Sequence, residues 1–171
     1  MSDSEIRVAQ PADWRVARDI RLRALADSPS AFGSTLARET LFDDAEWQER
    51  VSPGTWFLAW SGTAESSTAS TGTEAVGMAA IITQDCLPDE RHLVGMWVAP
   101  ERRGSAVATE LVEAVCRAAR VAGAAGVVLW VADDNARAKR FYRRVGFVET
   151  GERQQLPSNP LVGEQRMRRE L

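Results

Sequence analysis

The sequence predicts a mixed α/β fold around one central sheet. Apolar runs of strand length alternate with segments whose apolar residues recur at helical spacing, in the order β-α-α-β-β-β-α-β-α-β-β. The run at residues 127–131 is continuously apolar, which is typical of a strand covered on both faces. Because the chain has 171 residues, of which 44% are apolar, we predict a single domain over residues 1–171 with a full core.

The N-terminal part of the chain predicts one strand and two helices. Residues 6–10 alternate between apolar and polar side chains, as in a short strand. Asp13 is suited to cap a helix over residues 14–26, where apolar residues recur at helical spacing. A second helix is predicted over residues 43–51, and the Ser-Pro-Gly sequence at 52–54 ends it.

A hairpin follows, with apolar strands at residues 56–60 and 75–83. The segment between them, residues 61–74, consists almost entirely of Ser, Thr, Gly, Ala and Glu. Such a composition cannot bury apolar surface, so we predict a mobile loop that joins two antiparallel neighbours. A substrate lid is the alternative reading of this loop.

The C-terminal half predicts a regular alternation of strands and helices. Its predicted elements are a strand at 93–98, a helix at 105–122, a strand at 127–131, a helix at 135–145, and strands at 147–153 and 165–171. Pro100 closes the first of these strands. Gly146 stands where a helix ends in a left-handed residue.

Composition and charge exclude several classes of protein. A net charge of −3 argues against a general nucleic-acid binder, since phosphate contacts need clustered cations. No run approaches the roughly 18 apolar residues of a membrane span. The start, residues 1–5, is acidic and polar, unlike a signal peptide. We therefore expect a cytoplasmic protein without a membrane or nucleic-acid partner.

The sequence offers few residues for a metal site or a catalytic triad. Cys86 and Cys116 follow no metal or redox spacing and are expected to stay free thiols. His92 is the only histidine, so a zinc site or a Ser-His-Asp triad would have to use it. No cluster of cysteine or histidine surrounds it, and we expect no metal.

A turn rich in small residues lies between the strand ending at Val98 and the helix beginning near Ser105. Its small residues are Gly104, Ser105, Ala106 and Ala108. Backbone N–H groups at a helix start have no internal partner, and with the helix dipole they form an anion site. Arg102 and Arg103 add positive charge. The turn alone fits a pyrophosphate site or an ordinary connection.

Tyr142 is the only tyrosine of the chain, and its neighbours follow the spacing N-x-x-A-x-x-F-Y-x-x-x-G-F. A phenol with a pKa of about 10 is suited to protonate a departing thiolate of similar basicity. This points to thioester chemistry. The alternative is that Tyr142 only packs beneath Gly146 and Phe147.

Together, the turn and the tyrosine helix make the chain resemble the GNAT superfamily of N-acetyltransferases. The family motif R/Q-x-x-G/A-x-G/A is filled by Arg103, Gly104, Ser105, Ala106, Val107 and Ala108. The motif N-x-x-A-x-x-x-Y-x-x-x-G-F is filled by Asn135, Ala138, Tyr142, Gly146 and Phe147. The match runs from about residue 93 to residue 147. Ala106 departs from the usual glycine, which would weaken or shift cofactor binding.

The resemblance implies a fold and a cofactor. The fold would be a mostly antiparallel sheet, flanked by helices, in which two parallel strands splay apart to hold acetyl-CoA. The backbone of Met96, Trp97 and Val98 would pair with the pantetheine arm. The backbone amides from Arg103 to Ala108 would bind the pyrophosphate, and Asn135 and Ala138 would contact the pantetheine.

The resemblance also implies direct attack of an amine on the thioester, with Tyr142 as general acid for the leaving coenzyme A. The amine must first lose a proton. Relatives often place a Glu on the strand before the turn, but residues 93–98 contain no carboxylate. His92 is the best base by its pKa. The weaker candidates are Asp133, Asp134 and Glu39. A chain of water molecules is an alternative route for the proton. The alternative for His92 itself is an exposed residue at the end of a strand, without a role.

The acceptor side is expected between the first two helices and the last two strands. Phe32, Phe42, Trp47 and Trp97 either wall this side or belong to the core. The acidic residues Glu39, Asp43, Asp44, Glu46 and Glu49 either attract a cationic amine or form a solvated helix face. The arginines at 137, 140 and 144 share one helix face and either attract the anionic cofactor or cover surface.

These observations favour an acetyl-CoA-dependent N-acetyltransferase that acts on a small amine, such as an antibiotic, a polyamine or an amino-acid derivative. A protein N-terminus or lysine is the alternative acceptor. A catalytically inactive, coenzyme-A-binding regulator is the alternative of another class. A homodimer is a further hypothesis, because dimers are common in the family.

Overall fold

The computed structural model describes residues 4–51, 55–62 and 74–171. These residues form a seven-stranded sheet with the order β1-β2-β3-β4-β5-β7-β6, accompanied by helices. The elements are β1 Ser4–Val8, α1 Trp14–Asp27, α2 Leu36–Glu39, α3 Asp44–Val51, β2 Trp56–Ser61, β3 Ala75–Gln84, β4 Leu87–Val98, α4 Val107–Val121, β5 Gly126–Ala132, α5 Ala136–Arg144, β6 Val148–Leu156 and β7 Asn159–Glu170. The predicted mixed α/β class and element order are confirmed, with α2 as an additional short helix.

One parallel pair interrupts an otherwise antiparallel sheet. β4 and β5 pair through Glu90 with Gly126, Arg91 with Val127, and His92 with Val128. Beyond these pairs, residues 93–98 and 129–132 of the described strands do not pair with each other. The predicted splay between two parallel strands is therefore confirmed.

A β-bulge in β4 bends this strand where the splay begins. Met78 of β3 faces Trp97 and Ala80 faces Val94, so two steps along β3 oppose three along β4. The extra residue falls at Gly95, whose φ of 64° is accessible to glycine without strain. Because a bulge bends its strand and disrupts the local pairing, it accounts for the opening between β4 and β5.

Helix α4 packs closely on β3, and this contact fixes the turn that precedes the helix. A Cβ on Gly77 of β3 would lie 3.0 Å from Leu111 Cδ1 and 3.1 Å from Val107 Cγ1. The absence of a side chain at Gly77 therefore lets the start of α4 approach the sheet. The buried face of α4 includes Val107, Leu111 and Val115, as its spacing predicts, whereas Ala122 is exposed beyond the helix end.

Several element boundaries differ from the sequence prediction. β4 begins at Leu87 rather than at residue 93, because its polar first residues pair with β3 through a tight turn. Helix α4 begins at Val107 rather than at Ser105. Asp13 does not cap α1: its carboxylate accepts a hydrogen bond from the Gln10 backbone at 2.8 Å.

Strands β6 and β7 are also longer than predicted, since their polar residues pair with each other around a turn at residues 157–158. Gly146 has a φ of 91°, which confirms the left-handed end of α5. The hairpin of β2 and β3 is antiparallel as predicted. The helix stop at 52–54 and nearly all of the predicted loop at 61–74 lie outside the described residues. None of the helices described is long and apolar enough to cross a membrane.

Candidate functional site

Two clefts meet at the opening between β4 and β5. The first, which we call the turn cleft, lies between the turn before α4 and helix α5. The second, the sheet cleft, lies between the helices α1–α3 and the sheet, and has a volume of about 370 Å³. Residues that line both clefts are Ala31, Phe32, Met96 and Tyr142. The two spaces therefore share a boundary at Met96 and Tyr142.

The turn before α4 presents unpaired backbone donors. Within the part of the chain that the structure describes, the amides of Gly104, Ala106, Ala108 and Thr109 make no hydrogen bond. Gly104 has a φ of 90°, and no atom lies within 4 Å of a Cβ built on it. Ala106 has a φ of −73° and a ψ of −15°, which is ordinary helical geometry for alanine. The turn can thus bind an anion through its backbone, and Ala106 adds no backbone strain.

Arginine side chains surround this turn. The turn cleft is lined by Arg102, Arg103, Arg137, Arg140 and Arg144. The three arginines of α5 that the sequence places on one helix face therefore lie together in the cleft. The resulting positive potential favours an anionic ligand.

The charge of Arg103 is used within the fold. Its Nε donates to the Val98 carbonyl at 3.0 Å, and its Nη2 donates to the Asp27 carboxylate. Asp27 also accepts from Ser28 Oγ at 2.6 Å and from Trp97 Nε1 at 3.0 Å. The bonds from Ser28, Trp97 and Arg103 lower the pKa of Asp27 to about 2. This network joins the end of β4 and the turn to α1.

Helix α5 carries the second motif. Asn135 caps it, since its Oδ1 accepts a hydrogen bond from the Ala138 amide at 3.0 Å. At the other end, the Phe147 amide donates to the Tyr142 carbonyl at 2.9 Å, and Gly146 takes the left-handed conformation. Asn135 and Ala138 both line the turn cleft. Asn135 and Ala138 therefore both form the helix and face the cleft.

Tyr142 is buried between two aromatic rings. Its ring centroid lies 5.3 Å from that of Phe141 and 5.6 Å from that of Phe147, so the ring has the packing role that the sequence offers as an alternative. Its hydroxyl makes no hydrogen bond among the described residues. Burial raises the pKa of Tyr142, so the phenol keeps its proton at neutral pH. The reference pKa values of a phenol and a thiol lie close together. At this site the match holds only if the leaving thiolate is desolvated as strongly as Tyr142.

His92 lies inside β4, paired with Val128, and lines the sheet cleft. It is not the exposed strand-end residue considered as an alternative, since only 9% of it is exposed. Burial, with a smaller contribution from Arg166, lowers the pKa of His92 to about 4. Its Nδ1 is buried without a hydrogen-bond partner among the described residues. The ring is therefore neutral at pH 7, and neither ring nitrogen makes a hydrogen bond to the described residues.

The other carboxylates considered as bases are occupied or distant. Glu39 lines the sheet cleft but accepts hydrogen bonds from Arg21 at 2.8 and 3.0 Å. Burial alone raises the pKa of Glu39, yet the bonds and charge of Arg21 outweigh burial and hold this pKa below its usual range. Asp133 is paired with Lys139 and Arg153. Neither Asp133 nor Asp134 lines either cleft.

Two polar residues of the sheet cleft escaped the sequence analysis. Glu164 of β7 is 6% exposed and accepts a hydrogen bond from Gln154 Nε2 of β6 at 2.9 Å. Both line the sheet cleft. The last strand was predicted to begin at residue 165, which left Glu164 outside any element. A glutamate inside a paired, buried strand is a candidate site residue. The sequence shows this for Glu164 only if the start of β7 is predicted correctly.

Of the aromatic and acidic residues predicted on the acceptor side, some line the sheet cleft and others stabilise the fold. Phe32 and Phe42 line the sheet cleft, whereas Trp47 belongs to the core. In the acidic stretch, Asp43 Oδ1 accepts from the Glu46 amide and Glu46 Oε2 accepts from the Asp43 amide, each at 2.8 Å. This reciprocal pair caps the start of α3. These two carboxylates therefore stabilise a helix and do not face the cleft.

The described residues contain no group of three or more His, Cys, Asp or Glu side chains that could hold a metal ion. Cys86 is exposed and Cys116 is buried, and neither forms a disulfide within the described chain. Burial, the largest of several influences, raises the pKa of the Cys116 thiol. Neither cysteine lines the two clefts.

Residues 22–147 match the model of the acetyltransferase (GNAT) family, and the chain belongs to this family. No curated protein matches the chain. The fold is similar to a GCN5-related N-acetyltransferase from Kribbella flavida, with 18% identity, coverage of 99% of this chain and 98% of the other, and a TM-score of 0.74.

Two further solved structures share the fold and contain a cofactor. The yncA acetyltransferase from Salmonella typhimurium, with acetyl-CoA, is 18% identical, with coverage of 99% and 95% and a TM-score of 0.70. The paia N-acetyltransferase from Thermoplasma acidophilum, in complex with coenzyme A, is 12% identical, with coverage of 100% of both chains and a TM-score of 0.65.

Proposed function

We propose that this protein is a single-domain N-acetyltransferase that transfers the acetyl group of acetyl-CoA directly to a primary amine of a small molecule. The observation that carries the proposal is the meeting of the two clefts at Met96 and Tyr142. One cleft is lined by backbone donors and arginines, as an anionic cofactor requires. The other has a volume of about 370 Å³, within the range of small-molecule sites.

The turn cleft is proposed to bind acetyl-CoA, which supplies the activated acetyl group. The pyrophosphate would bind to the turn formed by Arg103, Gly104, Ser105, Ala106, Val107 and Ala108. The free amides of Gly104, Ala106 and Ala108 would donate to it. The backbone of Met96, Trp97 and Val98 on the unpaired edge of β4 would pair with the pantetheine. Asn135 and Ala138 would contact the same arm from α5. Fold relatives with acetyl-CoA or coenzyme A support this assignment.

Tyr142 is proposed as the general acid for the leaving thiolate. Because burial keeps the phenol protonated, it can donate as the carbon–sulfur bond breaks. The neutral amine nitrogen bonds to the acetyl carbon, and the carbon–sulfur bond breaks as Tyr142 gives its proton to the thiolate. The proton that the nitrogen loses on becoming an amide restores the phenol. No covalent acyl-enzyme is required.

His92 is proposed to accept a hydrogen bond from the attacking amine through Nε2, because its Nδ1 is buried. Taking a proton from an alkylammonium with a pKa of about 10.4 onto an imidazole with a pKa of about 4 would cost roughly 9 kcal/mol. His92 therefore orients an amine that has already lost its proton. Glu164, on the same cleft, is placed to attract the ammonium form as it enters.

An acceptor screen tests the proposal. Purified protein with acetyl-CoA is offered amino acids, polyamines, aminoglycosides and a lysine-containing peptide, and thiol release is measured. Release with small amines is expected, and preference for the peptide would support a protein acceptor. Calorimetry with acetyl-CoA is the companion measurement, because binding without release from any amine would indicate a coenzyme-A-binding regulator. An absence of binding would overturn the proposal.

A further inference from the structure

The helical wall of the sheet cleft carries more positive than negative charge. Its arginines are Arg21 of α1, Arg38 of α2 and Arg50 of α3, and they face a single carboxylate, Glu39. Arg21 satisfies that carboxylate through two hydrogen bonds, at 2.8 and 3.0 Å. Three guanidinium groups against one carboxylate leave two positive charges on this wall.

The two remaining guanidinium groups are weakly paired. Arg50 reaches the Glu39 carboxylate only at 3.8 Å, a contact that Glu39 already shares with Arg21. Arg38 is exposed and forms no ion pair with any residue that the structure describes. The pKa of Arg50 is lowered, first by burial and then by repulsion from Arg21 and Arg38, against the attraction of Glu39. An anion at this position would relieve that repulsion.

Arg50 is also held in place. Its guanidinium lies 5.0 Å from the ring centroid of Phe42 and 5.4 Å from that of Trp47. Stacking on aromatic rings fixes the plane of a guanidinium and leaves its N–H edge available to a carboxylate. These contacts restrain the guanidinium of Arg50 at the place where an oxyanion would bind.

The opposite wall has the reverse charge. It is formed by strands of the sheet and carries the buried carboxylate of Glu164 together with the neutral ring of His92. Tyr142 lines this cleft where it joins the turn cleft. A molecule with an ammonium at one end and an anion at the other matches this arrangement of charges.

We propose that the acceptor carries an acidic group, a carboxylate or a similar oxyanion, which Arg50 and Arg38 bind while its amino group lies between Glu164, His92 and Tyr142. The acceptor class is thus an amino acid or a related amino-oxyanion. This inference rests on the proposed acetyltransferase function. Amines that carry only positive charge, such as polyamines and aminoglycosides, are disfavoured because they would face the two surplus guanidinium groups.

Matched pairs of amines test this inference. Each amino acid of a panel is compared with its primary amide, which keeps the amino group and side chain but loses the negative charge. With acetyl-CoA and thiol release as the readout, we expect kcat/KM to favour the acid by about 10-fold or more, the effect of hydrogen bonds to a charged group. Equal or better turnover of the amides would overturn the inference while leaving the acetyltransferase proposal intact.

Substitutions locate the preference. Arg38→Gln and Arg50→Gln are each expected to bring the acid-to-amide ratio toward one. Arg117→Gln, on the exposed face of α4 and outside both clefts, is the matched control and should keep the wild-type ratio. Both side chains are exposed, but only Arg50 contacts aromatic rings, so Arg38→Gln should fold even if Arg50→Gln does not, and thermal melting checks both. A preference that survives Arg38→Gln and a folded Arg50→Gln would contradict the assignment. If no amine of either series releases thiol, the acetyltransferase proposal fails, and this inference fails with it.

Discussion

The ring of Tyr142 packs against Phe141 and Phe147, while the residue also lines both clefts. Tyr142→Phe removes only the hydroxyl and keeps the ring packing. If the phenol protonates the leaving thiolate, kcat should fall by about 10²–10⁴ while the Kd for acetyl-CoA stays at the wild-type value. Thiol-release kinetics and calorimetry measure the two quantities. An unchanged kcat would show that Tyr142 serves the packing alone.

His92 predicts a pH dependence of stability. Its folded pKa of about 4 lies below the unfolded value of about 6.5, so the unfolded chain binds the proton first as the pH falls. The contribution of His92 to the free energy of unfolding is complete above about pH 6.5 and is lost as the pH falls to about 4. Its total is on the order of 3 kcal/mol. Denaturant unfolding between pH 7.5 and 4.5 should show this loss in the wild type and a smaller loss in His92→Gln. Equal losses in both proteins would contradict the shift.

At the scale of elements, the turn before α4 offers a matched pair of glycines. Gly104 has a φ of 90° and Gly123, at the other end of the helix, has a φ of 74°, and neither has an atom within 4 Å of an added Cβ. Alanine at either position should cost about 1–2 kcal/mol, because the left-handed region is strained for L-residues. Only Gly104 lines the turn cleft.

We therefore expect Gly104→Ala to raise the KM for acetyl-CoA, because its methyl group projects where the phosphate would approach the backbone. Gly123→Ala should lower the melting temperature similarly and leave that KM unchanged. Steady-state kinetics and thermal unfolding of both variants make the comparison. Equal KM values in the two variants would remove the turn from the proposed cofactor site.

The elements that the sequence predicted well are those whose side chains reveal their environment locally. The buried run of β5 and the amphipathic spacing of α4 are visible in any short window. The starts of β4 and β7 are not, because their polar residues are ordered by pairing with β3 and β6. The late start assigned to the last strand removed Glu164 from consideration as a site residue.

At the scale of the whole molecule, the distribution of charge matters more than its sum. The net charge is −3, yet the turn cleft gathers arginines of the turn and of α5. Exposed charges are screened within about 10 Å at 0.1 M salt and about 3 Å at 1 M. The KM for acetyl-CoA should therefore rise several-fold between 0.05 and 0.5 M salt. Arg140→Gln should weaken this dependence and Arg117→Gln should retain it, whereas a KM indifferent to salt would refute an electrostatic role for the cleft.

The sequence by itself determined the family and the proposed leaving-group side of the reaction. Both rest on two motifs, each confined to a few consecutive turns of chain, where spacing alone fixes which residues share a helix or a turn. Asn135, Tyr142 and Gly104 could therefore be proposed before any contact was known. Family membership follows from the match over residues 22–147.

Only the tertiary structure decided the acceptor side. Its residues come from α1, α2, α3, β4, β6 and β7, so no local pattern brings Arg50 and Glu164 to opposite walls of one cleft. Burial also decided which charges are available. Glu39 is neutralised by Arg21 and Arg103 by Asp27, whereas Arg38 has no ion pair among the described residues. Such pairings depend on distances of a few ångströms between distant segments, and a linear sequence does not contain those distances.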